Sequence, residues 1–396
     1  MARIGIYGGS FNPPHVGHVL AAKQCKDALG LDRVLMIPAA IPPHKALAEG
    51  SPDAQARLKM TELAVRDLEG FSVSDVELRR EGTSYTVDTL RILREQYPQD
   101  EWYLMMGTDM FLSFETWFCP EEIAKLARLV CFTRFNESEE LRKTMQAQKE
   151  KLTALYGAEP ILLDNDCVEI SSTEIRRLLA FGIADAYLSE SVLREIKAQG
   201  WYGTAENRKN LPSDELRRVS LSLHKPTRVS HVEGCVETAV KLAKQYGEDE
   251  ALSERAALLH DVTKALTEPQ QRSFAKRYGV QIPDRMPSQL LHALTAAKAA
   301  EIIFGESEAV CSAIRWHTTG KAGMTKLQKI VYIADMMEPT RTYPGVEHVR
   351  EAVWRDLDEG VREGLKRTIE HLAERGIPVS PESQQALDWL CRGQIR

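Results

Sequence analysis

Apolar positions follow two different rhythms along this chain. Over residues 1–203, short β-rich runs at 3–7, 33–37, 71–76, 102–106, 129–133 and 160–163 alternate with segments whose apolar residues recur three or four apart, as in 56–68, 87–95 and 121–127. Strands alternating with amphipathic helices predict an α/β domain, a doubly wound and mostly parallel sheet of the Rossmann-like kind. The remainder lacks strand patterns. It reads as amphipathic helices broken at Gly247, Pro269, Gly279, Pro283, Gly305, Gly320, Pro339, Gly345 and Gly376, which predicts an all-α domain. Between the two rhythms, Gly203, Asn207, Asn210 and Pro212 punctuate a polar stretch. The expected organisation is therefore a domain at 1–203, a linker at 204–213 and a second domain at 214–396. No internal repeat or low-complexity tract interrupts it.

Composition narrows the partners. With 396 residues, 43% hydrophobic and 27% charged, the chain is long enough for two ordinary globular domains. The net charge is −6, divided as −7 up to residue 203 and +1 beyond it. That balance gives no standing attraction to nucleic acid or acidic lipid. No run approaches the roughly 18 apolar residues that a membrane span needs. The opening Met1-Ala2-Arg3-Ile4-Gly5-Ile6-Tyr7-Gly8-Gly9 reaches glycine too early for a secretory core. Seven cysteines without CxxC spacing suit reduced thiols. The expectation is a soluble cytoplasmic protein that handles small molecules, with a homo-oligomer left open.

The first run leads into Gly8-Gly9-Ser10-Phe11-Asn12-Pro13-Pro14-His15-Val16-Gly17-His18. Glycines after a first strand let backbone N–H groups approach a ligand, and a following helix N-terminus is an anion site. Pro13 and Pro14 are expected to preset the first helical turn. His15 and His18, three apart, then share one face of that turn, with Gly17 keeping the approach open. Later, Ile170-Ser171-Ser172-Thr173-Glu174-Ile175-Arg176-Arg177 combines a Ser171/Glu174 capping box with hydroxyls and Arg176 in the first turn. Such a helix start can hold phosphate oxygens through charge-assisted hydrogen bonds, although an ordinary capped surface helix has the same local sequence.

Together these strings resemble the nucleotidylyltransferase superfamily, with its GxFxPxHxGH loop and late ISSTxxR helix start. The segments Ile41-Pro42-Pro43-His44-Lys45, Gly82-Thr83-Ser84-Tyr85-Thr86-Val87-Asp88-Thr89-Leu90, Met106-Gly107-Thr108-Asp109 and Trp117 narrow the likeness to bacterial nicotinate-nucleotide adenylyltransferases. The resemblance implies transfer of AMP from ATP to nicotinate mononucleotide, giving the deamido dinucleotide and pyrophosphate. It implies that Gly8, Gly9, Ser10, Phe11, His15 and His18 hold the ATP phosphates, His18 at the developing charge. Ser171, Ser172, Thr173 and Arg176 would hold the leaving pyrophosphate, with Mg²⁺ carried in on ATP. Thr86, Asp109 and Trp117 would form the acceptor pocket, the indole stacking on the pyridine ring, and Lys45 would contact the acceptor phosphate.

In the second half, His231, the pair His260-Asp261, and Asp335 each lie beside an apolar helical stripe, with His292 and His317 between them. Burying imidazole and carboxylate there is costly unless they are paired or bind metal. A nitrogen/oxygen set of this kind suits a first-row ion such as Fe, Mn or Co. For any one of these histidines alone, a satisfied core residue is the simpler reading, and His224, His348 and His371 are left with it.

The order His…His-Asp…Asp resembles the HD superfamily of metal-dependent phosphohydrolases. The surrounding text, Arg228-Val229-Ser230-His231, Leu258-Leu259-His260-Asp261-Val262-Thr263-Lys264, Trp316-His317-Thr318-Thr319-Gly320 and Ile333-Ala334-Asp335-Met336-Met337-Glu338-Pro339-Thr340-Arg341, is similar to the bacterial branch that cleaves diadenosine tetraphosphate symmetrically. The likeness implies that His231, His260, Asp261 and Asp335 bind one or two first-row transition-metal ions, iron the first choice. His292 and His317 either complete a second metal site or contact phosphate, beside Thr318. Lys264, four residues after His260 and so expected on the same helical face, would stabilise the leaving phosphate, and Arg341 would anchor substrate. Two alternatives stay open for this half: action on another nucleotide phosphoester, or a non-catalytic nucleotide-sensing or assembly module.

Overall fold

The structure, a computed structural model, describes all residues except 44–45, 135–137, 166–167, 169, 285 and 393–396, and it leaves the side chains of 133 and 134 undescribed. The chain forms two compact units, Met1–Glu206 and Asn207–Arg396.

In the first unit the strands are β1 (Arg3–Gly9), β2 (Arg33–Pro38), β3 (Phe71–Val73), β4 (Glu101–Gly107), β5 (Arg128–Arg134) and β6 (Ile161–Asn165). They form one parallel sheet in the order β3-β2-β1-β4-β5-β6. The helices are α1 (Val16–Leu29), α2 (Ala54–Val65), α3 (Thr86–Gln96), α4 (Thr108–Leu112), α5 (Pro120–Leu126), α6 (Glu139–Tyr156), α7 (Ser172–Ala180) and α8 (Glu190–Gln199). Strand β4 shows why the sheet is parallel and covered on both faces. Trp102, Leu104 and Met106 join one apolar cluster while Tyr103 and Met105 join another. Successive side chains on a strand alternate faces, so burying both faces demands an unbroken apolar run, which is what the sequence carries here.

The doubly wound α/β reading therefore holds, with two local corrections. The run at 71–76 pairs only as Phe71–Val73, because the chain turns at Asp75, whose carbonyl accepts from the N–H groups of Leu78 and Arg79. Helix α1 begins at Val16 with His15 as its N-cap, so Pro13 and Pro14 precede the first turn rather than forming it. The strand order reverses between β1 and β4, and in such sheets the crevice beyond the strand C-termini at that reversal is where ligands bind.

The second unit is helical, and its described residues contain no strand. Its helices are α9 (Ser213–Leu223), α10 (Pro226–Tyr246), α11 (Glu250–Leu259), α12 (Glu268–Tyr278), α13 (Leu291–Ala299), α14 (Glu308–Arg315), α15 (Lys326–Met337), α16 (Val346–Arg355), α17 (Leu357–Glu374) and α18 (Pro381–Arg392). A π turn at Ala300–Phe304 extends α13. Helix α10 packs against α11 and α15, which gathers the ends of several helices around one buried polar centre. Residues before α9 are tied to this unit: the Asn210 N–H donates to the Phe304 carbonyl at 2.8 Å and Arg255 to the Leu211 carbonyl at 2.8 Å. Among the described residues, no helix is long and apolar enough to cross a membrane.

Candidate functional site

In the first unit, the segment between β1 and α1 lies at the strand-order reversal, and several remote side chains fix its path. The fully buried Arg57 of α2 donates to the carbonyl oxygens of Ser10 at 2.7 Å and Ala40 at 3.1 Å. Asn12 is held on three sides. Its amide donates to Ser51 Oγ (2.7 Å), its Oδ1 accepts from the Tyr202 hydroxyl (2.8 Å), and its carbonyl accepts from Arg176 Nη1 (2.7 Å). Ser172 Oγ donates to the Pro13 carbonyl at 3.1 Å. The start of α7 is thus docked on the loop that follows β1, and the two distant strings meet. Ser171 spends its hydroxyl on the capping box with Glu174, while Arg176 also donates to Thr173 Oγ1 at 3.1 Å.

Phe11 is buried with φ at 42°, a left-handed conformation that few non-glycine residues adopt. Its ring packs edge-on to His18, centroids 5.1 Å apart. The His15 and His18 rings lie nearly face to face, 3.7 Å apart at 31°. A Cβ on Gly17 would sit 3.1 Å from His15 Nδ1 and 3.2 Å from the Val168 carbonyl. Gly17 therefore makes room for the His15 ring itself, rather than for an incoming ligand. Burial pushes His15 down to about 4. Burial, with His15 alongside, pushes His18 well below the usual imidazole range. The His15 N–H donates to His18 Nδ1 at 3.3 Å, so the neutral His18 ring carries its proton on Nε2, a donor suited to a phosphate oxygen.

The expected acceptor residues lie on α3, on α4 and after it. Thr86 opens α3, and Asp109 lies in the first turn of α4 directly after β4. Tyr85 stacks on Phe118 with centroids 4.6 Å apart, which joins the start of α3 to the Trp117–Phe118 segment. The Trp117 indole is half-buried against Phe114, and the ring exposed here is Phe118, which sequence reasoning passed over. Lys45 and His44 lie outside the described residues. Arg57 and Tyr202 were also missed. Arg57 did leave a signal: it shares the buried stripe of α2 with Met60, Thr61 and Val65, a charge where the period calls for an apolar residue.

In the second unit, His231 projects from α10 with Nδ1 2.9 Å from Glu338 Oε1. Glu338 is fully buried and accepts from the N–H and hydroxyl of Thr340. A Cβ on Gly234 would come 2.6 Å from Glu338 Oε2, so the carboxylate reaches His231 only because position 234 has no side chain. His231 Nε2 then faces Asp335 Oδ1 (3.2 Å), Cys235 Sγ (3.4 Å) and Asp261 Oδ2 (3.9 Å). His260 and His317 each place Nδ1 2.6 Å from the carbonyl three residues earlier, those of Ala257 and Ile314. Both turn Nε2 towards Asp261, at 3.5 Å. His292 Nε2 stands 3.1 Å from Asp261 Oδ1 and 3.2 Å from His317 Nε2.

Helix α11 ends at Leu259, so His260, Asp261 and Lys264 occupy the turn after it; the expectation that Lys264 shares a helical face with His260 is corrected. Lys264 still arrives, with Nζ 3.0 Å from His292 Nε2 and 3.6 Å from Asp261 Oδ1. Arg228 clamps Asp261, its Nε at 2.9 Å. Arg341 pairs with Asp335 at 2.6 Å. Thr318 follows His317 and is half-buried.

This donor set fits a metal ion. His260 Nε2 is buried without a hydrogen-bond partner among the described residues, and the His292 and His317 Nε2 atoms stand 3.2 Å apart beside the Asp261 carboxylate. Burial pushes His260 down to about 3 in spite of Asp261 next to it. Asp335 is held well below the usual carboxylate range, against desolvation, chiefly by His231. A neutral His260 imidazole whose Nδ1 is fixed by the Ala257 carbonyl, facing ionised carboxylates, is the form that binds a cation.

Residues 6–178 match the cytidylyltransferase-like family model, and residues 228–340 match the HD domain model. A protein of Gloeobacter violaceus described as a probable nicotinate-nucleotide adenylyltransferase is 39% identical over 202 residues, 50% of this chain and 96% of that protein. One of Geobacter sulfurreducens, described in the same words, is 40% identical over 212 residues, 50% of this chain and 98% of its own. Among solved structures, a "predicted HD superfamily hydrolase involved in NAD metabolism" from Clostridium acetobutylicum is 31% identical with a TM-score of 0.45, covering 46% of this chain and 98% of that one. The Plasmodium falciparum nicotinic acid mononucleotide adenylyltransferase complexed with NaAD is 18% identical with a TM-score of 0.42, covering 52% and 98%. Through its first unit this chain belongs to the nicotinate-nucleotide adenylyltransferase family, and its second unit carries an HD domain.

Proposed function

We propose that the first unit transfers the adenylyl group of ATP to nicotinate mononucleotide, a step of NAD biosynthesis, and that the second hydrolyses diadenosine tetraphosphate to two ADP. In the transfer, a phosphate oxygen of the mononucleotide bonds to the α-phosphorus as the bond to the β-phosphate oxygen breaks. No protein nucleophile takes part, so catalysis is positioning and charge stabilisation. His18 Nε2–H and His15 meet the ATP phosphates brought in with Mg²⁺, backed by the N–H groups of Gly8 to Phe11. Ser172, Thr173 and Arg176 receive the leaving pyrophosphate, and Thr86, Asp109, Trp117 and Phe118 enclose the acceptor. The observation that carries this reading is the docking of α7 on the β1–α1 segment through Arg176–Asn12 and Ser172–Pro13.

For the second unit, His231, His260, Asp261 and Asp335 hold the ion, with His292 and His317 either completing a second position or meeting phosphate. A cation bound there supplies acidified water and positive charge against phosphate oxygens. Lys264 stabilises the leaving phosphate and Arg341 exchanges its hold on Asp335 for substrate. Glu338 orients His231. The full chain is incubated with ATP and each pyridine mononucleotide, and separately with Fe²⁺ or Mn²⁺ and diadenosine tetraphosphate, with products resolved by chromatography. Deamido-NAD with pyrophosphate, and ADP alone, are expected. Cleavage of a nucleoside monophosphate in preference to the tetraphosphate would move the second unit to another phosphoester.

A further inference from the structure

We propose that Cys235 Sγ is a ligand of the cation held at the His231, His260 and Asp335 side of the second unit's centre, giving that position sulfur as well as nitrogen and oxygen. The inference rests on the reading of this cluster as a metal centre, and deepens it by naming the donor set and so the class of ion.

Cys235 follows His231 by four residues on α10, so both side chains leave the same face of the helix one turn apart. Its sulfur is 3.4 Å from His231 Nε2. One ligand atom from each of His231, Cys235, His260 and Asp335 lies within 4.8 Å of the others. Bonds of about 2.0–2.3 Å to one ion put neighbouring ligand atoms roughly 3–4 Å apart, so these donors need little movement to close on a cation. An independent observation points to the same spot: His260 is 1% exposed and its Nε2 has no hydrogen-bond partner among the described residues. The thiol's contact with the Ala334 carbonyl is 3.9 Å long, weak for an S–H group.

Ligation is not redox chemistry. The Sγ–H bond gives its proton to solvent as the sulfur–metal bond forms, and the metal keeps its oxidation state. A thiolate beside two imidazoles and one carboxylate favours Fe²⁺, Co²⁺ or Zn²⁺ over Mg²⁺, Ca²⁺ and Mn²⁺. The second group of donors, His260, Asp261 and His317, offers no sulfur among the described residues.

The full chain is loaded with Co²⁺, and bound cobalt is measured by metal analysis beside the near-ultraviolet sulfur-to-cobalt charge-transfer absorption. The wild type is expected to show that band, and Cys235→Ser and Cys235→Ala to lose it while keeping cobalt and the wild-type circular dichroism. Cobalt retained by the wild type with no such band, or an undiminished band in both variants, overturns the sulfur assignment alone. A wild-type chain that retains no cobalt, Fe²⁺ or Zn²⁺ overturns the metal-centre reading with it.

Discussion

The guanidinium of Arg57, which has no exposed surface, donates to the carbonyl oxygen of Ser10 at 2.7 Å. A side chain on α2 therefore sets the path of the segment that follows β1, and its second bond, to the Ala40 carbonyl at 3.1 Å, ties in the loop after β2 as well. Replacing Arg57 by Met keeps the apolar stem but leaves two carbonyls without their donor. Each lost partner costs about 1–3 kcal/mol, so Arg57→Met is expected to lower the unfolding midpoint of the first unit and to raise the KM for ATP more than it lowers kcat. Denaturant titration and steady-state kinetics measure both; an unchanged midpoint with unchanged KM would remove Arg57 from this role.

How much of this was legible beforehand depends on the range of the interaction. Strand β4 is visible as Trp102-Tyr103-Leu104-Met105-Met106 because a strand covered on both faces must be apolar throughout. The Ser171 capping box is visible because its partner is three residues away. Ligand-type residues in the second unit stand out by type, but the way they meet does not. That Glu338 fixes the His231 ring spans 107 positions, and that Tyr202 holds Asn12 spans 190. Neither pairing has a local period or spacing. The start of α1 and the end of α11 were each misjudged at the ligand-bearing turn itself, where the histidines take backbone partners instead of continuing the helix: the His15 N–H meets His18 Nδ1, and His260 Nδ1 meets the Ala257 carbonyl.

The His18 tautomer leads to a kinetic expectation. If the Nε2 proton meets charge that develops on the phosphates, His18→Ala removes one aligned donor, a change worth roughly 3–4 kcal/mol in comparable oxyanion sites. Turnover should fall by two orders of magnitude or more while the KM for nicotinate mononucleotide changes little. His18→Ala protein with wild-type kcat ends the assignment.

Protonation of His15 gives a signed pH dependence. The folded imidazole titrates at about 4, against 6.5 for the ordinary group, because burial disfavours its charged form, with the neutral His18 ring stacked on it. Between those values the unfolded chain takes up the proton first. Folding stability is therefore present above pH 6.5 and is lost as pH falls towards 4, at no more than about 1.4 kcal/mol per unit. The comparison is wild type against His15→Asn by urea unfolding at pH 7.0 and 5.5. The wild type should lose about 1 kcal/mol more than the variant over that interval; parallel losses in the two proteins exclude a buried neutral His15.

Glu338 and Gly234 form a pair that can be tested from either side. The carboxylate holds His231 Nδ1 and so turns Nε2 towards Asp335, and its place depends on Gly234 having no Cβ, which would stand 2.6 Å from Glu338 Oε2. Partners that orient a metal-binding imidazole are worth about 10–100-fold in metal affinity. Glu338→Ala should weaken divalent-ion binding by that factor in a chelator competition. Gly234→Ala should do the same without removing any polar group, because the added methyl displaces the carboxylate. If Glu338→Ala weakens the ion while Gly234→Ala binds it like the wild type, the carboxylate acts by its charge and not by fixing the ring, since Gly234→Ala keeps the charge and disturbs only its position.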